Sequence, residues 1–177
     1  MYRRAVVVGA LAAATAGCTD RIRDVAASTP RDLDVRSRYV DGNPLVEGQS
    51  IRALPAELHV HAASYQSGAS ALGALRSDAA ETRSFVDATE FVDDGGESIL
   101  VVAQRLTAPE VELRLGAISR IGDGALRVAL DQPGPDVDVE KLDDPVVKTL
   151  LLRLTDRQGT PERVIVSVDR ERAGVTI

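Results

Sequence analysis

Two histidines and a glutamate occur at alternate positions in the segment Glu57-x-His59-x-His61. Residues i, i+2 and i+4 of a β-strand lie on one face, so this spacing would bring two imidazoles and a carboxylate together. Imidazole nitrogens and carboxylate oxygens are ligands for divalent transition metals. The spacing predicts a candidate metal site, and a metal-dependent hydrolytic enzyme or a metal-binding protein is therefore one functional hypothesis.

The other interpretation of His59 and His61 is a pair of solvated imidazoles on an exposed strand face. A zinc site needs three or four ligands and outer partners that orient the rings, and the chain has only 2 histidines. The sequence also has no Gly-x-Ser-x-Gly segment that would place a serine nucleophile on a sharp turn. We therefore expect a non-enzymatic protein with no catalytic residues and no cofactor.

The only cysteine, Cys18, lies at the end of an export-signal pattern. Arg3 and Arg4 precede an uncharged stretch, 5–17. Its length is within the roughly 7 to 15 residues of a signal-peptide core and below the roughly 20 residues of a membrane-spanning helix. The small residues before Cys18 resemble a bacterial or archaeal lipobox, and the paired arginines resemble a twin-arginine export signal. We predict lipid attachment at Cys18.

This pattern divides the chain into three predicted parts. Residues 1–17 are the signal peptide, residues 18–30 are the lipidated N-terminus and a polar tether, and residues 31–177 are the folded domain. Two lipid chains at one N-terminus give stable membrane anchoring, whereas one chain is marginal. The predicted location is the extracytoplasmic face of the cell membrane.

The composition narrows the choice of partners. The 177 residues are 44% hydrophobic and 27% charged, which suits one globular domain with a core. The net charge is -6, which disfavours nucleic acid and anionic membrane surfaces as electrostatic partners. The chain has 3 tyrosines, 2 phenylalanines and no tryptophan, so it offers few platforms on which bases could stack.

Alternating apolar and polar residues predict a mainly β fold, namely an antiparallel β-sandwich or open barrel of about seven strands with one short helix. Ser98–Ala103 is apolar on both faces, as expected of a central strand. The helix is predicted at 77–89. Two hairpins are predicted, one turning at 122–124 and the other at 156–159. The remaining strands are predicted within 32–39, 56–62, 111–115, 126–131, 150–154 and 164–168.

Several motifs of the domain resemble a family of small, poorly characterised exported lipoproteins of halophilic archaea. They are the Phe-x-x-Ala-Thr-x-Phe segment 85–91, the Glu-Ser-Ile-Leu-Val-Val segment 97–102, the Gly-Asp-Gly turn 122–124 and the Pro-Glu-x-Val segment 161–164. The resemblance covers about Thr82 to Val168. It implies a twin-arginine and lipobox start with a small β-rich domain, and it implies no known activity.

These observations together predict a membrane-anchored extracytoplasmic lipoprotein that acts as a structural or interaction module. Its expected partners are the membrane, through the lipid on Cys18, and an envelope protein. Nucleic acid is not expected as a partner. The alternative remains a metal-dependent enzyme or metal-binding protein that uses Glu57, His59 and His61.

Overall fold

The computed structural model describes residues 29–122, 124–133 and 138–177. The predicted signal peptide, Cys18 and residues 18–28 of the predicted tether lie outside the described residues. In the described part of the chain, no helix is both long enough and apolar enough to cross a bilayer. The elements, in chain order, are β1 (Leu33–Asp41), β2 (Val60–Tyr65), α1 (Gly68–Ala74), α2 (Ala80–Asp87), β3 (Ser98–Thr107), β4 (Arg114–Ile121), β5 (Ala125–Asp131), β6 (Val146–Asp156), β7 (Arg163–Val168) and β8 (Glu171–Thr176).

The described strands form two open four-stranded sheets. The first sheet has the order β1-β6-β3-β2, and the second has the order β4-β5-β7-β8. The predicted mainly β fold, a β-sandwich, is confirmed. The core lies between the sheets, where alternate residues such as Val101 and Leu152 of the first sheet pack with Val128 and Val166 of the second.

The outer face of the first sheet is covered by helices. Leu100, Val102 and Leu151 form a second apolar cluster there with residues that include Val86 of α2 and Phe91. Because β3 contributes to both clusters, it is buried on both faces, which confirms the prediction for Ser98–Ala103. The predicted helix at 77–89 is confirmed as α2, which is shorter at both ends. Helix α1 was not predicted.

The first predicted hairpin is confirmed, and the second is wrong. Strands β4 and β5 pair antiparallel on either side of Gly122 and Gly124, whose φ angles of 57° and 81° favour glycine. Strand β6 lies between β1 and β3 in the first sheet, whereas β7 pairs parallel with β5 in the second. The turn after β6 therefore carries the chain from one sheet to the other. The physical reason is that β6 carries leucines on both faces, so it is best buried at the centre of a covered sheet.

Three boundary predictions also need correction. The strand predicted at 56–62 begins only at Val60, and Leu58, predicted to face the core, is 44% exposed. The strand predicted at 111–115 begins at Arg114. Strand β8 was not predicted, because Ala173 and Val175 are its only hydrophobic residues and give little apolar signal. The antiparallel arrangement holds for every described strand pair except β5 and β7.

Candidate functional site

The two histidines of the predicted metal site contact different partners. The Nδ1 atom of His59 lies 3.6 Å from Oε1 of Glu171 on β8. The Nε2 atom of His61 lies 3.2 Å from the backbone oxygen of Gln49. Glu57 lies in an exposed turn before β2. Among the described residues, no group of three or more His, Cys, Asp and Glu side chains is arranged to hold a metal ion.

The late start of β2 explains this arrangement. Strand alternation applies from Val60 onward, so it does not place Glu57 and His59 on the face of His61. Burial lowers the pKa of His61, and the hydrogen bond to the Gln49 carbonyl opposes this effect only in part. A lower pKa favours the neutral imidazole, which can accept or donate one hydrogen bond at each nitrogen. The ring of His61 thus serves as a contact between β2 and the turn that contains Gln49.

A buried lysine lies near one end of the sandwich. Lys148 of β6 has a side chain that is only 4% exposed. Its ammonium group donates to Asp41 Oδ1 and to the backbone oxygen of Pro109, both at 2.6 Å. Burial acts to lower the pKa of Lys148, but the hydrogen bond to Asp41 and the nearby Tyr39 outweigh it and raise the pKa. Lys148 therefore stays charged and joins β6 to β1.

Arg105 of β3 is directly opposite Lys148 in the strand register. Its side chain is 4% exposed and lies 3.3 Å from Asp169 and 3.5 Å from Glu171, at the turn between β7 and β8. Two adjacent cations on one sheet face repel each other unless each has its own acidic partner. The separate carboxylates of Asp41 and of the β7–β8 turn meet this requirement, so the cluster joins the two sheets.

The outer face of the second sheet is different from that of the first, because no described helix covers it. All of its side chains are exposed or half-buried. Most are small, and three are arginines that come from three different strands. We call this surface the arginine face; by strand register it comprises Ala117, Ser119, Ile121, Ala125, Arg127, Ala129, Arg163, Ile165, Ser167, Arg172, Gly174 and Thr176.

Two of the arginines lie close to the sheet surface. A Cβ atom placed on Gly174 would be 2.8 Å from Nη2 of Arg163, so the guanidinium lies across β8 where a side chain is lacking. The Nε atom of Arg127 is buried and has no hydrogen-bond partner among the described residues. The guanidinium groups are thus held near the backbone, and Arg127 keeps a donor for which the described part of the chain supplies no acceptor.

One end of the arginine face is an open cleft of about 620 Å³. Its lining includes Ala129 and Ser167 of the arginine face and the charged residues Arg114, Asp131 and Asp169. Asp131 lies against Gly116, where a Cβ atom would be 2.5 Å from a carboxylate oxygen. The carboxylates make this end acidic, whereas in the middle of the face the charged side chains that the structure describes are all cationic.

Sequence reasoning missed the arginine face as a candidate site. The alternation in 126–131 identifies Arg127 as facing away from the core, and the same holds for Arg163 beside the predicted strand at 164–168. A signal was present, since the outward positions of these strands carry basic charge in an acidic protein. Its convergence could not be seen, because the pairing of β5 with β7 and of β7 with β8 was not predicted.

Comparisons of the chain with protein-family models, with curated proteins and with solved structures give no significant match. The resemblance to exported lipoproteins of halophilic archaea therefore stays a prediction that rests on the sequence motifs. The structural class, a β-sandwich with helices on one outer face, follows from the sheet order and from the packing of the helices.

Proposed function

We propose that the protein is a membrane-anchored extracytoplasmic lipoprotein that acts as a non-enzymatic interaction module. The observation that carries this proposal is the difference between the two outer sheet faces. Helices cover the outer face of the first sheet, whereas the arginine face is open in the described structure. An open sheet face with clustered charge is a surface on which another molecule can pack.

The anchoring part of the proposal rests on the N-terminal sequence. Arg3 and Arg4, the uncharged stretch 5–17 and Cys18 supply the leader and the acylation site. A tether of residues 18–30 would hold the sandwich close to the membrane while leaving its faces accessible.

Anchoring is tested by expressing the full chain and its Cys18→Ala variant in a host that processes lipoproteins. We expect the parent in the membrane fraction, released by detergent and not by salt, with an acylated Cys18 at its N-terminus by mass spectrometry. We expect the variant to lack the lipid mass. A parent protein that retains Met1 and is found in the cytosolic fraction would contradict the proposal.

The interaction part is tested with a photo-crosslinking amino acid placed at Ile165 in the middle of the arginine face. Glu81 on α2, exposed in the other layer of the molecule, is the matched control position. We expect an adduct of one defined mass from Ile165 and not from Glu81 in intact cells. Equal labelling from both positions, or no adduct from Ile165, would refute the interaction role.

The alternative of a metal-dependent enzyme or metal-binding protein has weaker support. Its candidate ligands His59 and His61 are each directed to a different protein partner. Metal content is the decisive measurement, with a His59→Ala/His61→Ala variant as the control. Stoichiometric zinc or manganese in the parent, lost in the variant, would favour the alternative.

A further inference from the structure

The three arginines of the arginine face have no acidic partner in the described structure. The described ion pairs of arginine involve Arg76, Arg105, Arg114 and Arg120. Arg127, Arg163 and Arg172 form none of these ion pairs, although the protein carries a net charge of -6. Positive charge concentrated on one open face of an acidic protein makes that face electrostatically complementary to anionic groups.

The spacing of the arginines fits carboxylates on an extended chain. Arg127 of β5 is aligned with Ile165 of β7, which is two residues from Arg163 on the same strand. Arg172 of β8 is aligned with Ser167 of β7. With strands about 4.8 Å apart and a rise of about 3.3 Å per residue, the Cα atoms of Arg127 and Arg163 are about 8 Å apart. Along the strand direction, Arg163, Arg127 and Arg172 follow one another at steps of two residues, about 7 Å, which is the interval between alternate side chains of an extended polypeptide.

The shape of the charge distribution favours a narrow ligand. Asp131 and Asp169 lie at one end of the same face, beside the cleft. A planar anionic membrane would meet these carboxylates and the net negative charge of the domain as well as the arginines. A single extended segment can lie on the arginines and contact the acidic end only at Arg172, which is aligned with Ser167. Arg127 is four residues, about 13 Å, along β5 from Asp131, and charges more than about 8 Å away are largely screened at physiological salt.

On this basis we propose that the arginine face binds an acidic, extended polypeptide segment of another protein, with its carboxylates on Arg127, Arg163 and Arg172. The inference rests on the proposed interaction function and adds the chemistry of the partner. Guanidinium groups pair with carboxylates through two parallel hydrogen bonds. The small residues Ser119 and Ala125, aligned with Arg127 and Arg163, let a bound chain approach the sheet closely.

The test uses a fluorescent peptide of alternating glutamate and serine as the probe, with the full chain and fluorescence anisotropy at low salt. Replacing all three face arginines by alanine should weaken binding at least tenfold. The matched control replaces Arg31, Arg36 and Arg157, three exposed arginines near β1 that give the same change in net charge. We expect the control to bind within twofold of the parent. Equal weakening in both variants would overturn the proposal.

A second variant tests whether binding depends on the position of the Arg163 guanidinium as well as on its charge. Gly174→Ala keeps every charge but places a methyl group where the Arg163 guanidinium lies, so we expect binding to weaken about threefold. Gly73→Ala is the control, since a Cβ atom there meets nothing within 4 Å. Equal binding by the two glycine variants would contradict the placement of a carboxylate on Arg163.

Other occupants of the face give different results. Binding of the parent to phosphatidylglycerol vesicles but not to the peptide would assign the face to a membrane and overturn the proposal. A dimer in sedimentation experiments that is lost with the face arginines would assign it to a second copy and also overturn it. Failure of peptide binding while Ile165 still forms a cellular adduct would reject the acidic partner and leave the interaction function standing.

Discussion

Arg120 on the edge strand β4 links the two sheets, and replacing it should destabilise the protein strongly. Its guanidinium donates to both carboxylate oxygens of Asp156, at 2.7 and 2.8 Å, and to Asp32 at 2.8 Å. Asp156, the last residue of β6, has a side chain that is 1% exposed. Arg120→Ala would leave this carboxylate buried without its cation.

The expected loss follows from that burial. Removing one partner of a buried ion pair costs about 3–5 kcal/mol, and because the Arg120 side chain is 28% exposed we expect the lower end, about 3 kcal/mol. For a domain of this size, that loss lowers the melting temperature by about 6–12 °C. The control is Arg114→Ala. Arg114 forms an ion pair with Glu112 in which each side chain is 54% exposed, and such a pair contributes about 0–1 kcal/mol.

The pH dependence gives an independent check. Burial acts to raise the pKa of Asp156, but hydrogen bonds from Arg120 and from the backbone N–H of Gln158 outweigh it and hold the pKa below the ordinary value. The native state therefore binds fewer protons than the unfolded state, and this stabilisation is present above about pH 4 and lost as the pH falls through the folded-state pKa.

Urea unfolding of the full chain, followed by circular dichroism at several pH values, measures both effects. The difference in unfolding free energy between the parent and Arg120→Ala should be largest near neutral pH and should shrink below about pH 4. A loss no larger than that of Arg114→Ala, or a difference that does not change with pH, would refute the reasoning.

Three further predictions concern the core, a turn and a histidine. Leu152→Ala, at a position that is 0% exposed, should lower the unfolding free energy by about 2–5 kcal/mol in urea titrations, and a loss below about 1 kcal/mol would contradict its central place. Gly96→Ala should lower the melting temperature because its Cβ atom would collide with the backbone of Glu90, whereas Gly48→Ala should not, and equal melting temperatures would exclude the collision. In NMR titrations His61 should show a pKa below about 6.5, and its contribution to stability should be present above that pH and decline as the pH falls; a pKa above about 6.5 would contradict its burial.

The sequence contained enough information to identify most strands but not their neighbours. Alternation in 150–154 and in 164–168 correctly located β6 and β7, because inward positions must be apolar whatever the topology. The same pattern suggested a hairpin, since consecutive strands often pair. The actual partners of β6 are β1 and β3, which lie far from it in the chain. Local periodicity carries no information on such pairings.

The candidate sites show the same limit. The His59 and His61 hypothesis depended on the strand starting at 56, and a difference of a few residues in that start separated the three proposed ligands. The arginine face could not be assembled from the sequence, because Arg127, Arg163 and Arg172 come from three strands whose order was unknown. Arg127 and Arg163 were recognisable as outward-facing, but Arg172 lies on the unpredicted β8, and only the sheet order places the three together.

The composition of the arginine face is not explained by the requirements of folding. Exposed strand positions are usually stabilised by β-branched or aromatic residues, whereas alanine and glycine are unfavourable there. Ala117, Ala125 and Ala129 are nevertheless on this face, whereas glycine at position 174 leaves room for the Arg163 guanidinium. Small residues beside outward arginines are what close approach by another polypeptide backbone requires, which is the physical reason to look for a partner on this face.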